Sequence, residues 1–146
     1  MAGEFWKAKD NYMWLIKNLG ISDSVRVVDA YIPNEEIGLY FSAADLVVQP
    51  YRSASGSGIC QLAYGFGKPV IATNVGSLGE VVIDGVNGRI VPPENAKALA
   101  DAISSSLKPE TLTKLTANSR LTAEKFSWYR LMHFIFSGKE DPVSVA

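Results

Sequence analysis

Small residues crowd around one arginine in Tyr51-Arg52-Ser53-Ala54-Ser55-Gly56-Ser57-Gly58. Ser55, Gly56, Ser57 and Gly58 leave backbone N–H groups uncovered, and an apolar helical pattern follows directly. Amides aimed past a helix start can hold an anion, above all a phosphate. Arg52 beside the loop could add a guanidinium, whose planar fork suits phosphate oxygens. A second small-residue loop, Asn74-Val75-Gly76-Ser77-Leu78-Gly79-Glu80, also follows an apolar run. Ala30-Tyr31-Ile32-Pro33-Asn34 is a further loop after a strand-like run. Other reactive side chains read as structural. Cys60, within the helix after the first loop, is a small core hydrophobe. His133 lies among Met132 and Phe134 near a helix end. Glu35 and Glu36 put charge at a helix start, where the positive end of the dipole favours it. No His, Cys or carboxylate cluster has metal-ligand spacing.

The elements that must position these loops alternate. Asp10 or Asn11 is the expected cap of a first helix with Met13 (or Tyr12), Leu15, Ile16 and Leu19 on one side, and Gly20 stops it. Val25-Arg26-Val27-Val28 reads as a strand. Asn34 is the expected cap of a helix that turns Ile37, Tyr40 and Phe41 inward. Leu46 to Gln49 is the next strand. In the helix beyond the first loop, Ile59, Leu62, Ala63 and Phe66 share one face at i, i+3, i+4 and i+7. Gly67 and Pro69 end it. Val70-Ile71-Ala72-Thr73 is apolar throughout, as a parallel strand buried on both faces is. Asp84-Gly85 and Asn87-Gly88 supply turn residues that tolerate positive φ, before a strand at Arg89-Ile90-Val91. Glu94 and Asn95 open a helix carrying Leu99, Ala102, Ile103 and Leu107. Pro109 starts another, with Leu112, Leu115, Ser119, Thr122 and Phe126 on one side. Ser127 caps a last helix bearing Trp128, Leu131, Met132 and Ile135, and residues 138–146 read as a frayed tail. Trp6, Trp14 and Trp128 read as packing residues or as part of an interdomain surface.

Strands of four to six residues between helices make the class α/β with a mainly parallel sheet. In such sheets ligands sit outside the carboxyl ends of the strands. All three loops lie there.

Bulk properties narrow the partners. The chain has 146 residues, enough for one domain with a sizeable core, and a net charge of −1 with scattered Lys and Arg. No basic stripe points to nucleic acid. One cysteine cannot form an internal disulfide, and no apolar run reaches the ~20 residues a membrane span needs. These features suit a cytoplasmic protein and are compatible with peripheral membrane contact. No G-x-G-x-x-G follows a first strand, which argues against a generic dinucleotide-binding domain.

Several segments in order resemble the C-terminal half of group 1 glycosyltransferases, the nucleotide-sugar enzymes of the GT-B fold with two Rossmann-like domains. They are Ala43-Ala44-Asp45-Leu46-Val47-Val48-Gln49-Pro50, Gly65 to Thr73, Val75 to Val82, Asp84 to Asn95, and Phe126-Ser127-Trp128. The resemblance implies a Rossmann-like three-layer α/β/α donor-binding domain over residues 1–137, lacking its first one to two strands. It implies no metal or organic cofactor. The substrate would be a nucleoside diphosphate sugar, its sugar transferred with retention. Arg52 and Ser55 to Gly58 would meet the donor phosphates, and Tyr31 and Ile32 the base through backbone groups. Gln61 and Leu62 would lie at the ribose, and Gly76, Ser77 and Glu80 at the donor sugar. The family's E-x7-E positions fall on Ala54 and Leu62, so neither carboxylate is present. No catalytic residue is assigned, because the usual catalytic His and the acceptor site lie in the family's N-terminal domain. The expected partners are the donor and an N-terminal acceptor domain or a partner chain that completes the sheet, with self-association through unpaired strand edges. The rival expectation is a non-catalytic half-domain that docks on a partner chain as an assembly module.

Overall fold

The computed structural model describes residues 1–5, 8–125, 132, 133, 135 and 136. The readings placed on Trp6, Phe126, Ser127, Trp128, Leu131 and the 138–146 tail lie outside the described residues. The chain divides into two compact units, Met1–Tyr40 and Phe41–Ala146.

In the N-terminal unit, α1 spans Lys9–Asn18 and starts before the expected caps Asp10 and Asn11. Ala8 enters it at φ 60 without a side-chain cap, and its carbonyl accepts from the amides of Asn11 and Tyr12. The start is held instead by Lys9, whose ammonium lies 2.7 Å from the Asp29 carboxylate. That ammonium, with the Phe5 amide, holds Asp29 below the usual carboxylate range. Gly20 closes the helix at φ +66. The expected apolar stripe buries nothing fully: Met13, Leu15 and Leu19 are exposed, as is Trp14. Trp14 is therefore no packing residue within its own unit. Residues 25–28 do not form a strand as read from sequence. Val28 makes a single parallel bridge with Ala2, its amide donating to the Met1 carbonyl and its carbonyl accepting from Gly3. A β-branched run becomes a strand only as far as a neighbour pairs with it, and here the neighbour supplies one residue. Helix α2, Asn34–Ala43, begins on the Pro33 carbonyl, which accepts from Glu36 and Ile37. Asn34 is thus the first helical residue and not the cap.

The C-terminal unit carries a three-stranded parallel sheet in the order β1 (Val47–Gln49), β2 (Val70–Thr73), β3 (Gly88–Val91). Successive residues of β2 point to opposite faces. Val70 and Ala72 join Cys60, Ala63 and Tyr64 of α3 (Gly58–Gly65), Leu78 of α4 (Leu78–Val81) and Val82. Ile71 joins Val91 and Ala102 on the opposite face, where α5 (Ala96–Ser106) packs. Helix α6 (Pro109–Lys125) adds Ala123 to the α3 side. The result is an α/β/α sandwich, as the class assignment expects. All four β2 residues are buried.

Helix α3 departs from its expected orientation. Ile59, Leu62 and Phe66 are each about 40% exposed, while Cys60, Ala63, Tyr64 and Gly67 are buried. The buried set has the same i, i+3, i+4, i+7 spacing, rotated by one residue. Tyr64 fills the core, and the small residues of the set allow close approach: a Cβ on Gly67 would come within 2.8 Å of Arg120 Nε. Gly67 at φ +66 also closes a Schellman turn, its amide donating to Tyr64 and that of Lys68 to Ala63. In α5, Asn95 is the cap, its Oδ1 accepting from the Ala98 amide at 2.9 Å. Ser106 is buried where Leu107 was expected, and Leu107 is exposed.

The turn at 84–88 does more than reverse the chain. Gly85 takes the expected positive φ, but Gly88 belongs to β3, where a Cβ would lie 1.9 Å from the Val70 carbonyl oxygen. Asn87 is fully buried. Its Oδ1 accepts from the Ile83 amide at 2.8 Å, and its Nδ2 donates to the Val81 carbonyl and to Thr122 Oγ1.

Candidate functional site

The loops after β1 and β2 meet at the carboxyl end of the sheet. Thr73, the last residue of β2, donates its hydroxyl to the Tyr51 carbonyl at 2.6 Å. Ser77 donates both its amide and its hydroxyl to the Ser55 carbonyl, at 3.2 and 2.8 Å. Gly76 lets the two loops close at φ +52, because a Cβ there would lie 1.9 Å from the Ala54 carbonyl oxygen. Ser55, Gly56, Gly76 and Ser77 are therefore brought together from separate stretches.

Ser57 is the N-cap of α3. Its Oγ accepts from the Ile59 amide at 3.2 Å, and its carbonyl accepts from Cys60. Among the described residues, the amides of Ser55, Gly56, Ser57 and Gly58 donate to no acceptor. The first amides of a helix have no partner within it and carry the positive end of its dipole. Only Gly58 belongs to the helix, while Ser55, Gly56 and Ser57 lead up to it and the Ile59 and Cys60 amides bond to Ser57, so a run of open backbone donors ends at the helix start.

Arg52 does not turn its charge on these amides. Its Nε pairs with Glu94 Oε1 at 3.3 Å, both side chains largely exposed. A pair this exposed is worth little and exchanges readily with other partners. Lys68 donates to the Ser42 carbonyl. Gln61 and Leu62 lie on the exposed side of α3. Ala54 is half-buried against the core on the α3 face. Glu80 does not sit in a loop, because a short helix has already begun at Leu78. It is exposed, and among the described residues its carboxylate accepts no hydrogen bond. In the N-terminal unit, Tyr31 is exposed and Ile32 half-buried. A separate concavity of about 560 Å³ in that unit is lined by residues of α1 and by Ser22, Val25 and Val27, and includes neither Tyr31 nor Ile32.

Cys60 takes the structural role expected of it. It is fully buried, its Sγ donating to Gln49 Oε1 at 3.6 Å, and burial pushes the thiol above its ordinary range. A neutral, covered thiol is a poor nucleophile. In the folded chain Cys60 should resist an aromatic disulfide reagent at pH 8 and react within seconds once urea unfolds the protein. Rapid labelling of the folded chain would contradict the packing described. Tyr64 is likewise pushed up by burial, its hydroxyl 3.5 Å from the Val81 carbonyl. His133 is half-buried. Among the described residues no three His, Cys, Asp or Glu side chains converge as metal ligands, and no helix is long and apolar enough to cross a membrane.

Sequence reasoning missed Thr73 as an organiser of these loops, and Asn87 as the tie between the end of α4 and α6. Thr73 ends an apolar strand, and Asn87 reads as an ordinary turn residue. Nothing local marks either as a long-range hydrogen-bond donor.

Known proteins share this fold. A family profile described as "Glycosyl transferases group 1" matches residues 1–122. A D-inositol 3-phosphate glycosyltransferase of Saccharomonospora viridis is 34% identical over 119 residues, covering 81% of this chain and 27% of its own length. The sucrose-phosphate synthase of Thermosynechococcus elongatus superposes with a TM-score of 0.77 at 29% identity, over 94% of this chain and 38% of that one. The C-terminal domain of a group 1 glycosyl transferase, LpcC of Francisella tularensis, has the same fold at a TM-score of 0.73 and 22% identity, covering 81% of this chain and 61% of its own. The chain thus spans between about a quarter and two-fifths of its full-length relatives. With a profile match over most of its length, the chain belongs to the group 1 glycosyl transferases.

Proposed function

We propose that the 50–58 and 74–80 loops hold the diphosphate of a nucleoside diphosphate sugar, and that this chain is the donor side of a retaining sugar transfer. The observation that carries the reading is the set of open amides from Ser55 to Gly58, with Ser77 fastening the neighbouring loop to Ser55. In the reaction the bond from the anomeric carbon to the diphosphate oxygen breaks. A bond to an acceptor oxygen forms on the same face, and the acceptor proton passes to a base. Charge grows on the leaving diphosphate, and fixed amides at a helix start stabilise it without reorganising. Gln61 and Leu62 flank the ribose. Gly76, Ser77 and Glu80 face the donor sugar. Arg52 exchanges its exposed partner Glu94 for a phosphate oxygen.

The absence of carboxylates at positions 54 and 62 leaves Glu80 as the one acidic group assigned to the donor, so phosphate contacts outweigh sugar contacts. No base or acceptor site is assigned to this chain. Isolated, it binds donor and does not turn it over; the acceptor side comes from a longer polypeptide or a partner.

Calorimetric titration of the chain with UDP and with GDP tests this. Saturable binding of at least one nucleotide, with no transfer to acceptors and no rapid donor hydrolysis, is the expected result. A folded chain that binds neither nucleotide would favour the assembly-module alternative, and turnover by the chain alone would place an acceptor site within it.

A further inference from the structure

Asn87 and Gly88 answer two separate demands of the fold. Asn87 is needed for its amide: fully buried, it accepts from the Ile83 amide and donates to the Val81 carbonyl and to Thr122 Oγ1. Gly88 is needed for its missing side chain, since a Cβ there would lie 1.9 Å from the Val70 carbonyl oxygen and 2.9 Å from Val82 Cγ1. Together they form an Asn-Gly pair, and no other asparagine of the chain precedes a glycine. Asparagine is a labile residue, most of all before glycine, which leaves the next backbone nitrogen unshielded and the chain free to turn. Two structural requirements thus place a chemically weak bond where α4, β3 and α6 meet.

We infer that Asn87 is a deamidation site which the native fold holds closed, and that conversion there makes unfolding irreversible. In the reaction the Gly88 amide gives its proton to hydroxide, and its nitrogen bonds to Asn87 Cγ. The Cγ–Nδ2 bond breaks, and Nδ2 takes a proton from water and leaves as ammonia. One water then opens the succinimide ring. Breaking the new bond to Cγ yields aspartate. Breaking the original peptide bond yields isoaspartate, with the main chain running through Cγ. The net change is one water taken up and one ammonia released, and nothing is oxidised or reduced.

The folded chain blocks each part of this path. Asn87 is fully buried, so water and hydroxide do not reach Cγ. The peptide that would have to turn is held as well: the Asn87 carbonyl accepts from the Val70 amide and from Ser119 Oγ, each at 3.3 Å. Neither product fits once it has formed. An aspartate carboxylate cannot donate to Val81 or Thr122, and its charge would be buried. Isoaspartate adds a main-chain carbon before Gly88, against the register that pairs Val70 with Gly88 and Thr73 with Val91.

The test follows acid at residue 87 by peptide mass mapping, in mildly alkaline buffer with and without guanidinium chloride. The folded chain should convert more slowly by on the order of a thousandfold or more, because conversion then passes only through the minor unfolded population. Across a denaturant series the rate should track the unfolded fraction. After the denaturant is removed, compact material isolated by gel filtration should be depleted in acid at residue 87 relative to the whole sample. A parallel sample unfolded in mild acid, where the reaction is slow, should refold in higher yield. Should neither sample refold, Asn87→Asp carries the converted residue from synthesis, and its thermal midpoint at neutral pH should lie well below that of the wild type. Equal conversion in folded and unfolded chains, or an unfolded chain that does not convert, would overturn the inference. So would compact material as rich in the acid as the whole sample, or an Asn87→Asp chain with the wild-type midpoint.

Discussion

Gly76→Ala should abolish nucleotide binding and destabilise the C-terminal unit by about 2–4 kcal/mol, the range of steric and backbone-strain substitutions. Two effects combine at this position. Alanine disfavours φ +52, and its Cβ would lie 1.9 Å from the Ala54 carbonyl oxygen. Carbon and oxygen need more than 3 Å, so one of the two loops must withdraw by over an ångström, as a rough estimate from ordinary contact distances. Either movement breaks the paired bonds from Ser77 to the Ser55 carbonyl and shifts the backbone that carries the open amides of residues 55–58. Gly85→Ala is the control. Gly85 has φ +72, yet an added Cβ meets nothing within 4 Å. It should cost only the conformational strain, about 1 kcal/mol, and leave binding intact. Urea unfolding and calorimetry on both variants separate strain from collision. Equal losses in the two would show that the closeness of the loops at Gly76 does not matter.

Asn87→Ala should destabilise the same unit by about 3–5 kcal/mol, as breaking a buried hydrogen-bond network does. The side chain is fully buried and joins three elements: the Ile83 amide, the Val81 carbonyl at the end of α4, and Thr122 on α6. Alanine leaves the Ile83 amide orphaned, leaves the Val81 carbonyl with only the 3.5 Å bond from the Tyr64 hydroxyl, and opens a small cavity where water has poor access. Asn87→Asp separates the donor from the acceptor role. A carboxylate keeps the Ile83 bond but cannot donate to Val81 or Thr122, and burial opposes its charge. Its folded-state pKa is therefore raised above the unfolded value. Protonation then restores a donor, so this variant should recover stability as pH falls below the folded pKa and lose it as pH rises. Chemical unfolding at pH 4.5 and pH 7.5 reads the difference. A variant equally stable at both would show that the donor bonds carry nothing.

Much of the fold was legible because some signals depend only on neighbours in sequence. The apolar run 70–73 had to be buried on both faces, and it is the middle strand. Gly67 before Pro69, Asn95 before α5 and Pro109 at the start of α6 marked ends through backbone chemistry that holds in any context. The small-residue loop before α3 was readable for the same reason: serine and glycine leave amides open wherever they stand.

Other features could not be read locally. Helix α3 has apolar residues on most of its surface, so its periodicity admitted two faces. Packing chose Cys60, Ala63, Tyr64 and Gly67, where Cys60, Ala63 and Gly67 let the helix lie close to its neighbours and Tyr64 fills the core between them, and left Ile59, Leu62 and Phe66 outside. Residues 25–28 have strand propensity but gained only one bridge, since a strand exists through its partner. Lys9 and Asp29, twenty residues apart in sequence, start α1 where no capping side chain stands.

The sequence by itself determined the alternation of strands and helices from β1 onward apart from α4, the parallel α/β class, and the placement of the 50–58 and 74–80 loops after their strands. Tertiary structure alone decided that Ser77 reaches Ser55, that Gly76 must be glycine to allow it, that Arg52 turns to Glu94, and that Asn87 ties the last strand to α6. Each of those is a contact between residues distant in sequence. Local propensity carries no term for such a contact, so it appears only when the sheet brings the two segments to one end.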